Sequence, residues 1–353
     1  MLVTIPTALI SDSESQNVLR TILEATRESV MIVDKDCRIL TGNRTARKSF
    51  AKKGGDLDGK TLSEVFNNPD LVAAFERACE EGETSDTDLE FTKRGTRKYD
   101  VHVAPLELDG VRRGIGYFYD VTQVERLETI RQEFLSNISH ELRTPLTSIL
   151  AFVETLESGA LEDDQNNRHF LSVIRRNGER MRNLIADILE LSQIESGNVT
   201  LHRQDVKLGH LVDDIFTSLS SMAVGREITL VNQIDKTSVV KADPKRLEQM
   251  LTNLVDNAIR FNRRGGSVTV SDELRTKRHN IFVSDTGEGI LPDQVDRIFE
   301  RFYRADRARS RDVGGTGLGL AIVKHLSRIH GGEVSVQSEQ SVGTTFTIEL
   351  PNK

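Results

Sequence analysis

The strongest constraint on this chain is an apolar stripe that keeps helical phase far longer than an ordinary surface helix needs. From Thr122 onward, Val124, Leu127, Ile130, Phe134, Ile138 and Leu142 recur every three or four positions, the spacing of one face of an amphipathic helix. The stripe breaks at SGALEDDQNN and resumes over about residues 168–195 with Phe170, Ile174, Met181, Leu184, Ile188 and Leu191. Two long amphipathic helices joined by a short loop form an αα-hairpin. One hairpin leaves much of its stripe uncovered, so two copies should pair as a four-helix bundle. The spacing alone therefore predicts a homodimer.

Inside the first stripe sits NISHELRTPLTSI, with Ile138, Leu142, Leu146 and Ile149 in phase and Pro145 among them. Proline in a helix interior costs about 3 kcal/mol or more. It supplies no N–H to the carbonyl of Glu141 and clashes with it, so a bend is expected beside His140. That histidine falls off the apolar stripe and should face water. Strain kept at one place suggests a site that must move.

The rest of the chain bounds the possibilities. At 353 residues it is long enough for two or three domains. A net charge of -7 gives no reason to expect nucleic acid, whose binders concentrate basic residues on one face. Cys37 and Cys79 share no metal-ligand spacing and read as thiols of a reducing compartment. No segment reaches the roughly 18 consecutive apolar residues of a membrane span, so the chain reads as cytoplasmic, whether alone or as part of a membrane-anchored protein.

Residues 16–122 follow an N-terminal tail, 1–15, and alternate helices with short strands. SVMIVDKDCRILTGN looks like a hairpin turning at Asp34, Lys35 and Asp36. TLSEVFNNPDLVAAFERACEEG gives short helices, and DTDLEFTKR, RKYDVHVAPLEL and RRGIGYFYDVT give three strands. The hairpin, Asn43 and the closing Asp120-Val121-Thr122 resemble PAS sensor domains. Cys37 lies in a turn where a flavin-conjugating cysteine would be badly placed, and His102 stands alone in a strand, so no sensory cofactor is expected.

Residues 204–353 alternate helices, expected at 208–223, 244–261, 293–301 and 317–330, with five strands. Helices on one face of a mixed sheet make an α/β sandwich. Three motifs there carry chemistry. LTNLVDNAIRFN sets Asn253 and Asn257 four apart, on one helix face, and amide oxygens so placed suit a hard cation such as Mg²⁺. SDTGEGI offers the Asp285 carboxylate to an exocyclic amine, and Gly287 and Gly289 permit close backbone approach to a flat ligand. GGTGLGLAIVKHL runs glycine-rich backbone (Gly315, Thr316, Gly317, Leu318, Gly319) into a helix, an arrangement able to cradle phosphate. It lacks the Gly-Lys-Ser/Thr ending of a P-loop. Between the second and third motifs, Arg301, Arg304, Arg307, Arg309 and Arg311 read as a basic lid.

In this order, the motifs resemble the N, Asp-Thr-Gly-x-Gly, Phe-Glu-Arg-Phe and Gly-x-Gly-x-Gly boxes of the histidine kinase, gyrase, Hsp90 and MutL nucleotide-binding superfamily. The resemblance implies that Asn257 is the Mg²⁺ ligand and Asp285 reads adenine. It implies too that Asn253, Arg260 and Phe261 line the ATP. Arg260 stands where lysine is commoner and Phe261 where tyrosine is. SHELRTPL is similar to the phospho-acceptor box of sensor histidine kinases, with His140 the phosphorylated residue. By the same likeness Glu141 accepts a proton or hydrogen bond from the imidazole, and Thr144 orients a water for phosphatase action. The expected architecture is multidomain α+β: a PAS-like sensor, a dimerising hairpin over 123–200 and an ATP-binding α/β sandwich over 204–353. The expected activity is autophosphorylation of His140 from Mg-ATP and transfer to a response regulator receiver domain. The order of domains and the wording SILAFVETLESGALED look most like phosphate-regulon sensors. An ATP-driven conformational machine would need no SHELRTPL, and a silent scaffold would be favoured by loss of Asn257, Asp285 or the glycine box, all present.

Overall fold

The computed structural model describes residues 21–52, 55–93, 95–108, 110–158, 166–196, 199–304 and 315–352. The chain divides into two compact units, Met1–Gln132 and Glu133–Lys353.

The first unit is an antiparallel five-stranded sheet, β1 (Ser29–Val33), β2 (Ile39–Gly42), β3 (Ser85–Thr92), β4 (Thr96–Leu108) and β5 (Val111–Asp120), in the order β2-β1-β5-β4-β3. Helices α1 (Arg44–Phe50), α2 (Leu62–Phe66) and α3 (Pro69–Glu80) fall between β2 and β3. The expected hairpin is present, its turn closed by Asp34 Oδ1, which accepts from Asp36 N at 3.0 Å and Arg38 N at 2.9 Å. Asn43 is buried because its amide is fully used: Oδ1 accepts from Ala46 N and Val30 N, capping α1, while Nδ2 donates to Leu23 O and Glu28 O. Phe50, Phe66, Phe91 and Phe118 fill the core ring against ring. The Cys37 and Cys79 thiols are buried and free. Burial pushes Cys37 up to about 12 and raises Cys79 as well. Thr122 accepts from Lys98 N through its hydroxyl at 3.0 Å, so the last residue of the Asp-Val-Thr motif pins the next helix to β4.

That helix, α4 (Thr122–Glu157), spans 36 residues and runs unbroken through the buried Pro145. The second unit contains most of it, followed by α5 (Asn167–Glu195), so both long helices of the expected hairpin are present. Most of their connecting loop lies outside the described residues. Beyond them come β6 (Gln204–Lys207), α6 (Leu208–Gly225), β7 (Thr229–Asn232), β8 (Val239–Ala242), α7 (Pro244–Arg260), β9 (Ser267–Leu274) and β10 (Arg278–Asp285). The chain closes with α8 (Gly319–Ile329), β11 (Glu333–Glu339) and β12 (Gly343–Pro351). The main sheet, β11-β12-β10-β9-β7, is mixed, with β7 and β9 parallel. Asp243 caps α7 by accepting from Arg246 N at 3.2 Å, with Pro244 in the first turn where its missing N–H costs nothing. Leu247, Met250, Leu251, Leu254 and Ile259 form the buried side of α7.

Two expectations need correction. Residues 293–301 are not a helix but successive turns, with Gln294 N, Arg297 N and Glu300 N each donating to the carbonyl three residues back. Packing decides this: Ile298 is buried and the Phe299 ring meets Phe346 edge-on at 6.3 Å. The two-stranded sheet of β6 and β8 was not foreseen. Four residues carry too little alternation to signal a strand.

Candidate active site

His140 is exposed on α4, as its phase predicts. One turn on, the Thr144 hydroxyl donates to the His140 carbonyl at 3.2 Å, and Pro145 offers no N–H to Glu141. The Glu141 carbonyl thus lacks its usual helical donor, and the His140 carbonyl beside it takes an extra one. His140, Arg143, Thr144, Thr147, Ser148 and Ala151 line an open groove of about 470 Å³. Glu141 is held by Arg180 of α5 at 3.0 Å, with Arg304 at 3.9 Å.

The nucleotide motifs converge at the far end of α7. Asn253 Nδ2 donates to Gly319 O at 3.4 Å, joining the N box to the glycine box. Asn257 lies one turn further along the same face, half-buried, and no hydrogen bond engages its amide among the described residues. Arg260 is turned to Asp256, its Nε donating at 2.6 Å. Phe261 is 53% exposed, a large ring left at the rim. Asp285 ends β10, and burial pushes its carboxyl up to about 6 although Gly287 N donates to it at 2.8 Å.

The glycines show why larger residues are excluded. A Cβ on Gly287 would stand 2.7 Å from Asp285 Oδ1, and Gly289, with φ +71°, lies against the Glu339 backbone. Gly317 has φ +72°, and a Cβ there would stand 2.9 Å from the Phe302 Cα. Its carbonyl accepts from Phe302 N at 2.9 Å. A Cβ on Gly315 would meet nothing within 4 Å among the described residues, Leu318 is fully buried, and the Gly319 backbone passes beside Asn253. Thr316 donates to Asp187 of α5 at 2.7 Å. Of the lid, Arg301 pairs with Glu195 and Arg304 approaches Glu141, while Arg307, Arg309 and Arg311 lie outside the described residues.

The structure therefore brings Asn253 to Gly319, gathers Asp285 and Gly287 at the Phe261 backbone, and sets Gly317 on Phe302. The His140 ring is joined to none of them by a hydrogen bond or ion pair among the described residues. The set fits an adenine nucleotide: a half-buried carboxylate, a backbone cradle that a Cβ would fill, and an unengaged amide oxygen one turn from Asn253. Sequence reasoning missed Arg180, Asp187, Glu190 and Glu195 of α5. Their only signal was charge set beside the buried Leu184, Leu191 and Ile194.

Three family models match the chain: PAS fold over residues 23–126, His Kinase A (phospho-acceptor) domain over 130–197, and Histidine kinase-, DNA gyrase B-, and HSP90-like ATPase over 242–353. A sensor protein kinase WalK of Staphylococcus aureus is 31% identical over 344 residues, 97% of this chain and 82% of that relative. The chain belongs to the sensor histidine kinases of two-component systems. The sensor histidine kinase WalK of Bacillus subtilis is 36% identical over 249 residues, 70% of this chain and 40% of its own length. WalK of S. aureus strain Newman is covered to 56%, so the chain spans about half the length of these two curated relatives. The crystal structure of histidine kinase ThkA in complex with response regulator protein TrrA matches with a TM-score of 0.52 and 23% identity, covering 94% of this chain and 98% of that one. At that identity the likeness concerns the fold. Among the described residues no helix is long and apolar enough to cross a membrane.

Proposed function

We propose that the chain phosphorylates its own His140 from Mg-ATP and passes the phosphoryl group to an aspartate of a response regulator. The observation carrying this reading is the pairing, within one compact unit, of an exposed histidine beside a helix-breaking proline with the Asp285–Gly287 cradle. Asp285 accepts from the adenine amine, and the glycine box with Arg304 faces the phosphates. The Asn257 amide oxygen would hold a Mg²⁺ ion, which when bound would neutralise charge on the phosphates. Positioning and charge neutralisation are most of what a protein contributes to phosphoryl transfer. A neutral imidazole nitrogen of His140 attacks the γ-phosphorus, the bond to the ADP oxygen breaks, and Glu141 takes the imidazole proton. For that, Glu141 must loosen from Arg180. Thr144, once its hydroxyl leaves the His140 carbonyl, orients a water for dephosphorylation of the regulator.

The open groove beside His140 suits a docking receiver domain, and ThkA itself crystallised in complex with a response regulator protein. Pairing of two hairpins completes the bundle. The finer reading, a phosphate-responsive sensor, has the hairpin wording in its support, whereas the long curated relatives are WalK kinases.

The test incubates the full chain with Mg²⁺ and γ-labelled ATP beside His140→Gln. Acid-labile, alkali-stable label on the parent alone is expected, and it should move to a regulator aspartate on chase. Equal label on both proteins, or nucleotide binding with label on neither, would sink the reading.

A further inference from the structure

Helix α5 turns three carboxylates toward the nucleotide domain, and their partners differ in kind. Glu190 takes Arg246, with Gln249 Nε2 donating at 2.6 Å. Glu195 takes Arg301, with His325 at 3.4 Å. Among the described residues Asp187 meets only the neutral hydroxyl of Thr316, at 2.7 Å. Burial raises its carboxyl above the usual range, opposed by that hydrogen bond and reinforced by the nearby Glu190 charge. The Thr316 hydroxyl in turn accepts from Leu318 N at 3.3 Å, at the start of α8, whose first turn has no side-chain cap. A carboxylate with no cation beside it among the described residues is thus lodged against the glycine box.

An anion belongs near the N-terminus of a helix, and the glycine box leads into one. On the reading of that box as the phosphate cradle, Asp187 and the end of the phosphate chain compete for the same electrostatic ground. We propose that Asp187 makes the site distinguish nucleotides by phosphate number. With Asp187 on Thr316 the diphosphate is accepted at little cost, whereas the extra charge of the triphosphate opposes the contact. Coupling of this kind is reciprocal: ATP loosens Thr316 from Asp187, freeing the glycine box from the hairpin. ADP leaves the contact in place. Asp187 is then a specificity-determining residue that ties nucleotide state to the docking of the ATP domain on its own hairpin.

The test measures equilibrium binding of ATP and of ADP, each with Mg²⁺, by calorimetry. The full chain carries His140→Gln in every sample so that ATP is not consumed. Asp187→Asn keeps an oxygen for Thr316 and removes the charge. It should tighten ATP about tenfold, the scale of two like charges about 12 Å apart near a protein surface, and change ADP far less. Glu190→Gln, which loses Arg246 but does not touch Thr316, should leave the ATP-to-ADP ratio as it is. A ratio unmoved by Asp187→Asn, or an equal gain for both nucleotides, overturns the proposal. Asp187→Ala, judged by the same ratio, replaces Asp187→Asn if that chain lacks a cooperative melt. Failure of the parent to bind either nucleotide overturns the reading of the ATP site itself, and the coupling with it.

Discussion

Asp285 carries the plainest pH signature among the site residues. Its carboxyl is pushed up to about 6 by burial, above the roughly 3.9 of a free aspartate. Folding therefore favours the neutral form, and this contribution to stability is full below about pH 3.9 and lost as pH rises through 6. Binding runs the other way, since an adenine amine donates to the ionised carboxylate. Relative to Asp285→Asn, the parent's affinity for ATP should weaken as pH falls below about 6, by at most about tenfold per pH unit. Calorimetry from pH 5 to 8 on both chains checks it, and the difference between them removes the titration of ATP itself. Parallel pH profiles would deny Asp285 the adenine role. At this scale much was legible. His140 faces water because its position falls between the apolar residues. The i to i+4 ion pair that turns Arg260 onto Asp256 was legible in principle, whereas the Arg180 grip on Glu141 joins residues 39 apart and leaves no local trace.

The glycine box shows how an element depends on single positions. Gly317 sits in the left-handed region and its backbone touches Phe302, while among the described residues nothing crowds a Cβ on Gly315. Gly317→Ala should lower unfolding stability by about 1–3 kcal/mol through backbone strain and contact and should weaken ATP binding. Gly315→Ala should leave stability within about 0.5 kcal/mol of the parent. Urea unfolding of the two variants separates them, and equal losses would refute the geometry. Secondary structure with strong periodicity could be read from the sequence, including the 3.6-residue stripe of α7 and the alternation of β12. Residues 293–301 misled because Ile298 and Phe299 look amphipathic, yet their burial against the sheet is met by turns. Strands β6 and β8 exist through pairing with each other, residues 204–207 against 239–242, and pairing across that separation is invisible to a local pattern.

At the scale of the molecule, the hairpin helices expose Leu146, Leu150, Leu171, Ile185 and Leu189 by 45–59%. Such a surface is unusual for a monomer and is what a four-helix bundle covers. Sedimentation at micromolar concentration should give twice the 39.5 kDa chain mass, and Leu150→Arg with Leu189→Arg should shift it toward one chain. A parent that sediments as a single chain would overturn the homodimer. The buried cysteines have a practical consequence at this same scale. Both thiols are shielded and Cys37 stays protonated at neutral pH, and only the thiolate reacts with maleimides. A chain with one added surface cysteine, Lys236→Cys for example, would take up a single dye or spin label while folded. The native thiols would answer only on unfolding, so the same chain offers an optical reporter of motion and a built-in clock for denaturation.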